Sequence, residues 1–353
     1  MTAPPVRALH QFVPTFEPGA IGHHVLEVQS LARQELGLAS LVFAEHVAPA
    51  FAGRAHRHRD YGRRVAARPG DVLVYHVAIG SVVADFVAGR PEPLVLDHHN
   101  ITPPELYQRW DPAAAHGCAW GRAQLPALAA RAVLGLADSE WNRAELAAAG
   151  CARTAVAPIL ADYGTAPPEP TGGRDWLFVG RLSPNKCQHD VVKAFAAYRR
   201  AFDPEARLRL VGGAGSPTYR DALAGFVAAL GLDGAVELTG PVSQATLAGH
   251  YRASGVFVCL SEHEGFGMPL VEAMAHGVPV VAYASTAVPD TVGDAAVVLP
   301  GKEPARVAAA AAAVVGDGRL RRALAAAAAR RVAAFGLAPS RARWRQALEG
   351  LGA

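Results

Sequence analysis

Short apolar runs alternate with longer amphipathic stretches along the whole chain, a pattern that predicts strands and helices of a parallel, doubly wound α/β fold. In the first half, the runs that read as strands are Arg7 to Val13, Ala39 to Ala44, Asp71 to His76, Pro93 to His98, Leu134 to Ser139 and Thr154 to Ala157. Stretches with helical spacing, such as Ile21 to Gly37 and Glu140 to Gly150, separate several of them. The segment Ala166 to Gly173 (APPEPTGG) then breaks the pattern with residues that suit an extended linker. Beyond it the series restarts with Asp175 to Gly180, Arg207 to Gly212, Ala235 to Gly240, Gly255 to Leu260, Val278 to Tyr283 and Ala295 to Leu299.

This organisation predicts two Rossmann-like domains, residues 1–165 and 166–336, facing across a cleft. Residues 337–353 carry Trp344 and Leu348 at helical spacing and are expected to form a helix that crosses back to the first domain. A length of 353 residues agrees with two domains rather than one core. Open parallel sheets bind ligands beyond the carboxyl ends of their strands, so functional residues are sought just after the predicted strands.

Composition narrows the classes. Hydrophobic residues at 51% and charged residues at 18% describe a well-buried globular enzyme, not a disordered or fibrous chain. The net charge of +3 is too small for a global field that would argue for nucleic acid. Cys118, Cys151, Cys187 and Cys259 are far apart and form no CxxC pair, which points to neither a zinc site nor a disulfide framework and suits a reducing cytoplasm. No apolar run reaches about 18 residues, so the expectation is a cytoplasmic protein with at most weak peripheral contact at the inner face of the membrane.

Two segments carry chemistry. In FVGRLSPNK, Phe178 to Lys186, an apolar strand ends at Gly180, and Arg181 and Lys186 precede a helix starting near Cys187. Two cations beside the free amides of a helix start suit a diphosphate, although a surface turn with solvated charges reads the same way. In SEHEGFGMPLVEAMAHGVPVVA, Ser261 to Ala282, Gly265 and Gly267 flank Phe266 and allow a tight turn, and Pro269 suits a helix start. Glu272 would then lie in the first helical turn, stabilised as an anion and able to accept hydrogen bonds from ribose hydroxyls, with Glu264 accepting from a sugar. The simpler reading of Glu272, complementing the helix dipole, does not explain the whole combination.

The EGFGMPLVEAM run, with its two glutamates, together with G-R-L plus Lys186 and the LVGGAG segment at Leu210 to Gly215, resembles the retaining family-4 glycosyltransferases of the GT-B fold. The resemblance covers the C-terminal half. It implies that Arg181 and Lys186 neutralise a donor diphosphate, Glu264 holds the transferred sugar and Glu272 the ribose, with Gly180, Gly213, Gly265, Phe266 and Gly267 shaping the donor site. In the first half, Gly19 to His24 (GAIGHH) follows a strand where the family has a Gly-rich loop, which gives Gly22 a phosphate-side role; a strand-to-helix turn would explain it too. LDHHNITPPELY, Leu96 to Tyr107, resembles a segment of bacterial surface-polysaccharide mannosyl and rhamnosyl transferases, and the resemblance makes His99 the histidine that contacts the reacting sugar, where a lone histidine would otherwise read as structural. SEWNR, Ser139 to Arg143, resembles the family's Ser-x-x-x-Arg element or, more simply, a helix capped by Ser139. The Arg- and His-rich loop Arg54 to Arg68 reads as solvated rather than as a lipid contact.

The implied reaction is retaining transfer of a hexose, mannose first, from a nucleoside diphosphate sugar (GDP-mannose or a UDP-hexose) to a glycan or lipid-linked acceptor in polysaccharide or glycoconjugate biosynthesis. No metal and no cofactor is expected. A sugar-nucleotide epimerase or hydrolase of the same fold and a non-catalytic nucleotide-sugar-binding protein are the alternatives. Cys187 stands where the family has glycine; beside a helix start, Lys186 and Arg181, its thiol would be acidic and reactive, whereas a buried cysteine would be inert.

Overall fold

The computed structural model of the chain describes residues 5–165, 171–349 and 351. Residues 166–170, most of the expected linker, lie outside them. The chain divides into two compact units. The first takes residues up to Pro104, Ala113–Asp162 and the segment from Gly336 onward, and the second takes Glu105–Pro112 and Tyr163–Phe335.

The first unit holds a parallel sheet of β1 (Ala8–Phe16), β2 (Val42–Val47), β3 (His56–Arg57), β4 (Asp71–Val77), β5 (Leu94–His98), β6 (Ala132–Ala137) and β7 (Thr154–Val156). Its strand order is β3-β2-β1-β4-β5-β6-β7. Every residue of β4 and β5 is buried, which is why each shows a short apolar run, Val72 to Tyr75 and Leu94 to Leu96, rather than alternation. β3 was not legible: two residues inside the basic loop, paired with Phe43 and Ala44 of β2, are too short to show a period. A core of Leu9, Val74, Val95 and Leu134 also takes in Trp344 and Leu348, so the C-terminal helix Leu337–Glu349 packs within this unit. The Trp344 indole donates to the Pro158 carbonyl at 3.3 Å, which satisfies its polar end on burial.

The second unit holds β8 (Asp175–Val179), β9 (Leu208–Val211), β10 (Val236–Gly240), β11 (Ser254–Cys259), β12 (Val280–Tyr283) and β13 (Ala296–Leu299), all parallel, in the order β10-β9-β8-β11-β12-β13. The helix Gln188–Ala201 brings Val191, Val192 and Phe195 into the same core as Val307, Ala308 and Ala311 of the helix Pro304–Gly316. Alanines there let the two backbones approach closely. Trp110, from the segment Glu105–Pro112, also packs into this core, with its ring edge-on to Tyr219 at 5.3 Å between centroids.

The strand order of each sheet reverses between neighbours that are not consecutive, β1 with β4 and β8 with β11. These are the switch points beyond which doubly wound sheets leave room for a ligand.

Candidate active site

In the second unit the two segments singled out from sequence follow the two strands that flank the switch point. The turn after β8 begins at Gly180, whose φ of +154° suits glycine. It is tied to the loop after β9 by backbone hydrogen bonds from Leu182 to the Gly213 carbonyl at 2.9 Å and from Gly215 to that of Leu182 at 3.0 Å. The approach at Gly212 is so close that a Cβ would lie 2.2 Å from the Gly180 oxygen. This contact explains Gly212, and the backbone conformation explains Gly180, without any ligand.

A single turn, Pro184–Lys186, leads to Cys187, which adopts the left-handed conformation at φ +51°, and the helix starts at Gln188. The side chain of Lys186 reaches the loop after β11, where its Nζ donates to Glu264 Oε2 at 2.6 Å. Backbone bonds reinforce that junction, because the amide of Glu262 donates to the carbonyl of Asn185 at 2.9 Å. Glu264 is held from its other side by Thr286: its amide donates to Thr286 Oγ1 at 2.9 Å, and that hydroxyl donates to its carbonyl at 2.8 Å. Arg181 is exposed.

The helix Met268–Ala275 begins after Gly267, which caps it at φ +86°, and Pro269 is its second residue. Glu272 is therefore not in the first turn, and no acid is. The expected stabilisation by the helix start is absent: burial raises the carboxyl of Glu272 above the ordinary range, partly offset by a hydrogen bond of 2.8 Å from the hydroxyl of Tyr251. Phe266 is buried at 4% exposure with its ring against Phe335, so only its backbone can face a ligand.

Cys187 contradicts the expectation of an acidic thiol. Its side chain is buried and donates toward the carbonyl of Pro184, and burial pushes the thiol up to about 12 despite Lys302 nearby. Burial outweighs the helix start and the cations. Lys302 itself was missed. It follows β13, bonds Asp190 and Glu262 at 2.8 Å each, and is held protonated above its usual range because these carboxylates outweigh its burial. A lone lysine in a loop gives no sequence signal; only the fold brings it to Cys187. Tyr251, Thr286 and Asn185 were unreadable for the same reason.

In the first unit, Gly22 lies in the opening turns of the helix Ala20–Ser30 and is buried. A Cβ there would sit 1.9 Å from the carbonyl oxygen of Glu17, so tight packing alone requires glycine. His99 has a side chain only 2% exposed, and both ring nitrogens are engaged: Nδ1 with Asp138 at 2.9 Å, and Nε2 near Asp97 at 3.2 Å and His76 at 3.1 Å. Burial works against its charged form, but Asp97 and Asp138 outweigh it and hold the imidazole well above its usual range. Contact with a sugar would require the ring to leave these partners. His98 turns to Glu145 at 2.7 Å, and Asn100, at φ +81°, donates to Asn142 at 2.7 Å. Ser139 caps the helix Glu140–Ala148 through the amide of Asn142, and Arg143 bonds Glu140.

Comparison with known proteins places this geometry. A family model described as "Glycosyl transferases group 1" matches residues 165–331. The D-inositol 3-phosphate glycosyltransferase of Kineococcus radiotolerans is 32% identical over 304 residues, which cover 77% of this chain and 70% of that protein. That of Geodermatophilus obscurus is 42% identical over a shorter stretch, 38% of this chain and 31% of its own length. Among solved structures, Anabaena HepE in complex with UDP and glucose superposes with a TM-score of 0.75 at 19% identity, over 98% of this chain and all of that one. Sucrose-phosphate synthase from Thermosynechococcus elongatus gives 0.74 at 17% identity, over 98% of this chain and 99% of that one. These likenesses show the GT-B fold, and on the Kineococcus relative and the matched second unit the chain belongs to the group 1 glycosyl transferases, enzymes that move a sugar from a nucleotide sugar.

Proposed function

We propose that the second unit binds a nucleoside diphosphate hexose through Arg181, Lys186, Glu264 and Glu272 and that the hexose is transferred with retention to a hydroxyl of a glycan or lipid-linked acceptor. The observation that carries this reading is the Lys186–Glu264 ion pair between the loops that follow β8 and β11. Lys186 exchanges this carboxylate for the donor diphosphate, whose higher charge holds an ammonium more strongly. Glu264 is then free to accept hydrogen bonds from hydroxyls of the hexose. As the bond from the sugar to the diphosphate breaks, negative charge grows on the leaving oxygen, where Lys186, Arg181 and the helix start at Gln188 stabilise it. Glu272, once ionised, accepts from the ribose. Gly180, Gly213, Gly265 and Gly267 let the backbone approach the donor, and Phe266 contributes through its main chain.

GDP-mannose is the first donor to test, on the likeness of the HNITPPE segment to mannosyl transferases. A phosphorylated cyclitol is a second acceptor reading, favoured by the name of the Kineococcus relative. A sugar contact by His99 would require its ring to leave Asp97, Asp138 and His76, and donor binding by the second unit does not involve it. Purified protein incubated with a panel of nucleotide sugars and candidate acceptors is expected to give a glycoside of unchanged anomeric configuration. Free sugar alone, or an epimerised sugar nucleotide, would overturn the transferase reading.

A further inference from the structure

The stretch Glu105–Pro112, which includes the end of the LDHHNITPPELY segment, belongs to the second unit. Within that unit Tyr107 is buried at 7% exposure, and its hydroxyl donates to Asn185 Oδ1 at 3.1 Å. The hydroxyl of Ser183 donates to the same oxygen at 2.7 Å. An amide oxygen has two lone pairs, so these donors fill it and turn the Asn185 amide nitrogen the other way, toward the carbonyl of His263 at 3.5 Å. Asn185 stands directly before Lys186, and His263 directly before Glu264. The Asn185–His263 bond therefore runs beside the Lys186–Glu264 ion pair and joins the same two loops. Tyr107 is held in turn by its own backbone: the amides of Trp110 and Asp111 donate to its carbonyl at 2.9 and 2.8 Å, and the hydroxyl of Ser216 donates to the carbonyl of Trp110 at 3.1 Å.

We infer that Tyr107 is a positioning residue of the donor site: its hydroxyl, acting through the Asn185 amide, fixes the turn Pro184–Lys186 so that Lys186 stands where the donor phosphate binds. The inference rests on the donor reading of Lys186 proposed above. Packing needs only the ring, which phenylalanine would supply equally. The hydroxyl is what distinguishes tyrosine, and its bond goes to Asn185. Without that bond the buried Asn185 oxygen keeps one donor, and the amide is less firmly held toward His263. Lys186 follows Asn185 in a turn of three residues, so a rotation at Asn185 passes directly to the lysine. A displacement of about 1 Å in a group that orients reacting atoms can cost on the order of 100-fold in rate, so even a fraction of it is measurable.

Lys186, Lys193 and Lys302 are the lysines of the chain, so carbon-13 dimethylation of the full-length protein gives a short set of lysine NMR signals, each assigned by its arginine variant. Tyr107→Phe is expected to move the Lys186 signal toward that of the more exposed Lys193 and to leave Lys302 in place. Ser183→Ala removes the other donor to the same oxygen and is expected to act in the same direction. Turnover of GDP-mannose or a UDP-hexose is read as released nucleoside diphosphate. Tyr107→Phe is expected to lower kcat about 10-fold with KM for the donor within about 2-fold, because the Lys186 contact strengthens as charge grows on the leaving oxygen. In the Lys186→Ala background the same substitution is expected to have no further effect. An unmoved Lys186 signal, or the same loss of kcat with and without Lys186, would overturn the positioning role. If Lys186→Ala is slow and Tyr107→Phe is not, the positioning role alone falls. Full turnover in Lys186→Ala would remove the donor reading, and this inference with it.

Discussion

Lys186 Nζ lies 2.6 Å from Glu264 Oε2, and neither group is more than 19% exposed. The pair joins two loops far apart in sequence, and it holds in place, before any ligand arrives, the cation and the carboxylate that the donor is proposed to divide between its phosphate and its sugar.

Lys186→Ala and Arg181→Ala are each expected to lower turnover about 100-fold or more, since each removes charge stabilisation from a departing diphosphate. Lys186→Ala also strands Glu264 and is expected to cost on the order of 1 kcal/mol of stability after discounting for its partial exposure. Arg181 is exposed, so its removal is expected to leave the melting temperature unchanged. Steady-state rates with thermal melts check both parts; near wild-type rates in the two variants would remove the phosphate clamp.

The pH dependence of nucleotide binding follows from Glu272. Burial raises its carboxyl in the folded protein, so on acidification it takes up a proton earlier than an ordinary glutamate. If its ionised form holds the ribose, affinity for a nucleoside diphosphate is full above that raised value and falls as pH drops through it. The sign for folding is opposite: a raised carboxyl favours the native state below the unfolded value and loses that contribution as pH rises. Glu272→Gln is therefore expected to raise the melting temperature at neutral pH while weakening nucleotide binding and flattening its acid limb. Calorimetry at several pH values with melts of the variant decides; an unchanged acid limb would reassign the ribose contact.

Cys187 is expected to resist alkylation. All four cysteines are buried, and the Cys187 thiol is pushed up to about 12. Mass spectrometry after iodoacetamide treatment is expected to find Cys187 labelled no faster than Cys118, Cys151 and Cys259. Preferential labelling blocked by nucleotide would restore the acidic-thiol reading.

The parallel sheets were legible because strands buried on both faces leave apolar runs between helices, such as Val72 to Tyr75 within Asp71–Val77. The donor segment was legible for a related reason: Gly180, Gly267 and Pro269 punctuate strand-to-helix turns, and the charged residues beside them fall at the carboxyl ends of strands. The helix register was not. Sequence put Glu272 in a first turn, but the helix starts at Met268 after a left-handed Gly267. The same limit applies at Cys187, where proximity to a helix start suggested acidity and only the fold shows that the thiol is buried. Lys302 and Thr286 follow other strands and Tyr251 lies in the helix Gln244–Ala253, so no local pattern relates them to the site.

Glu264→Ala and Glu272→Ala test the central assignment together. Isothermal titration of each with a bare nucleoside diphosphate and with the matching nucleotide sugar compares the two carboxylates directly. Glu272→Ala is expected to weaken both ligands, whereas Glu264→Ala is expected to weaken the nucleotide sugar and leave the bare diphosphate close to wild type. Equal losses for both ligands in both variants, or no loss in either, would contradict it.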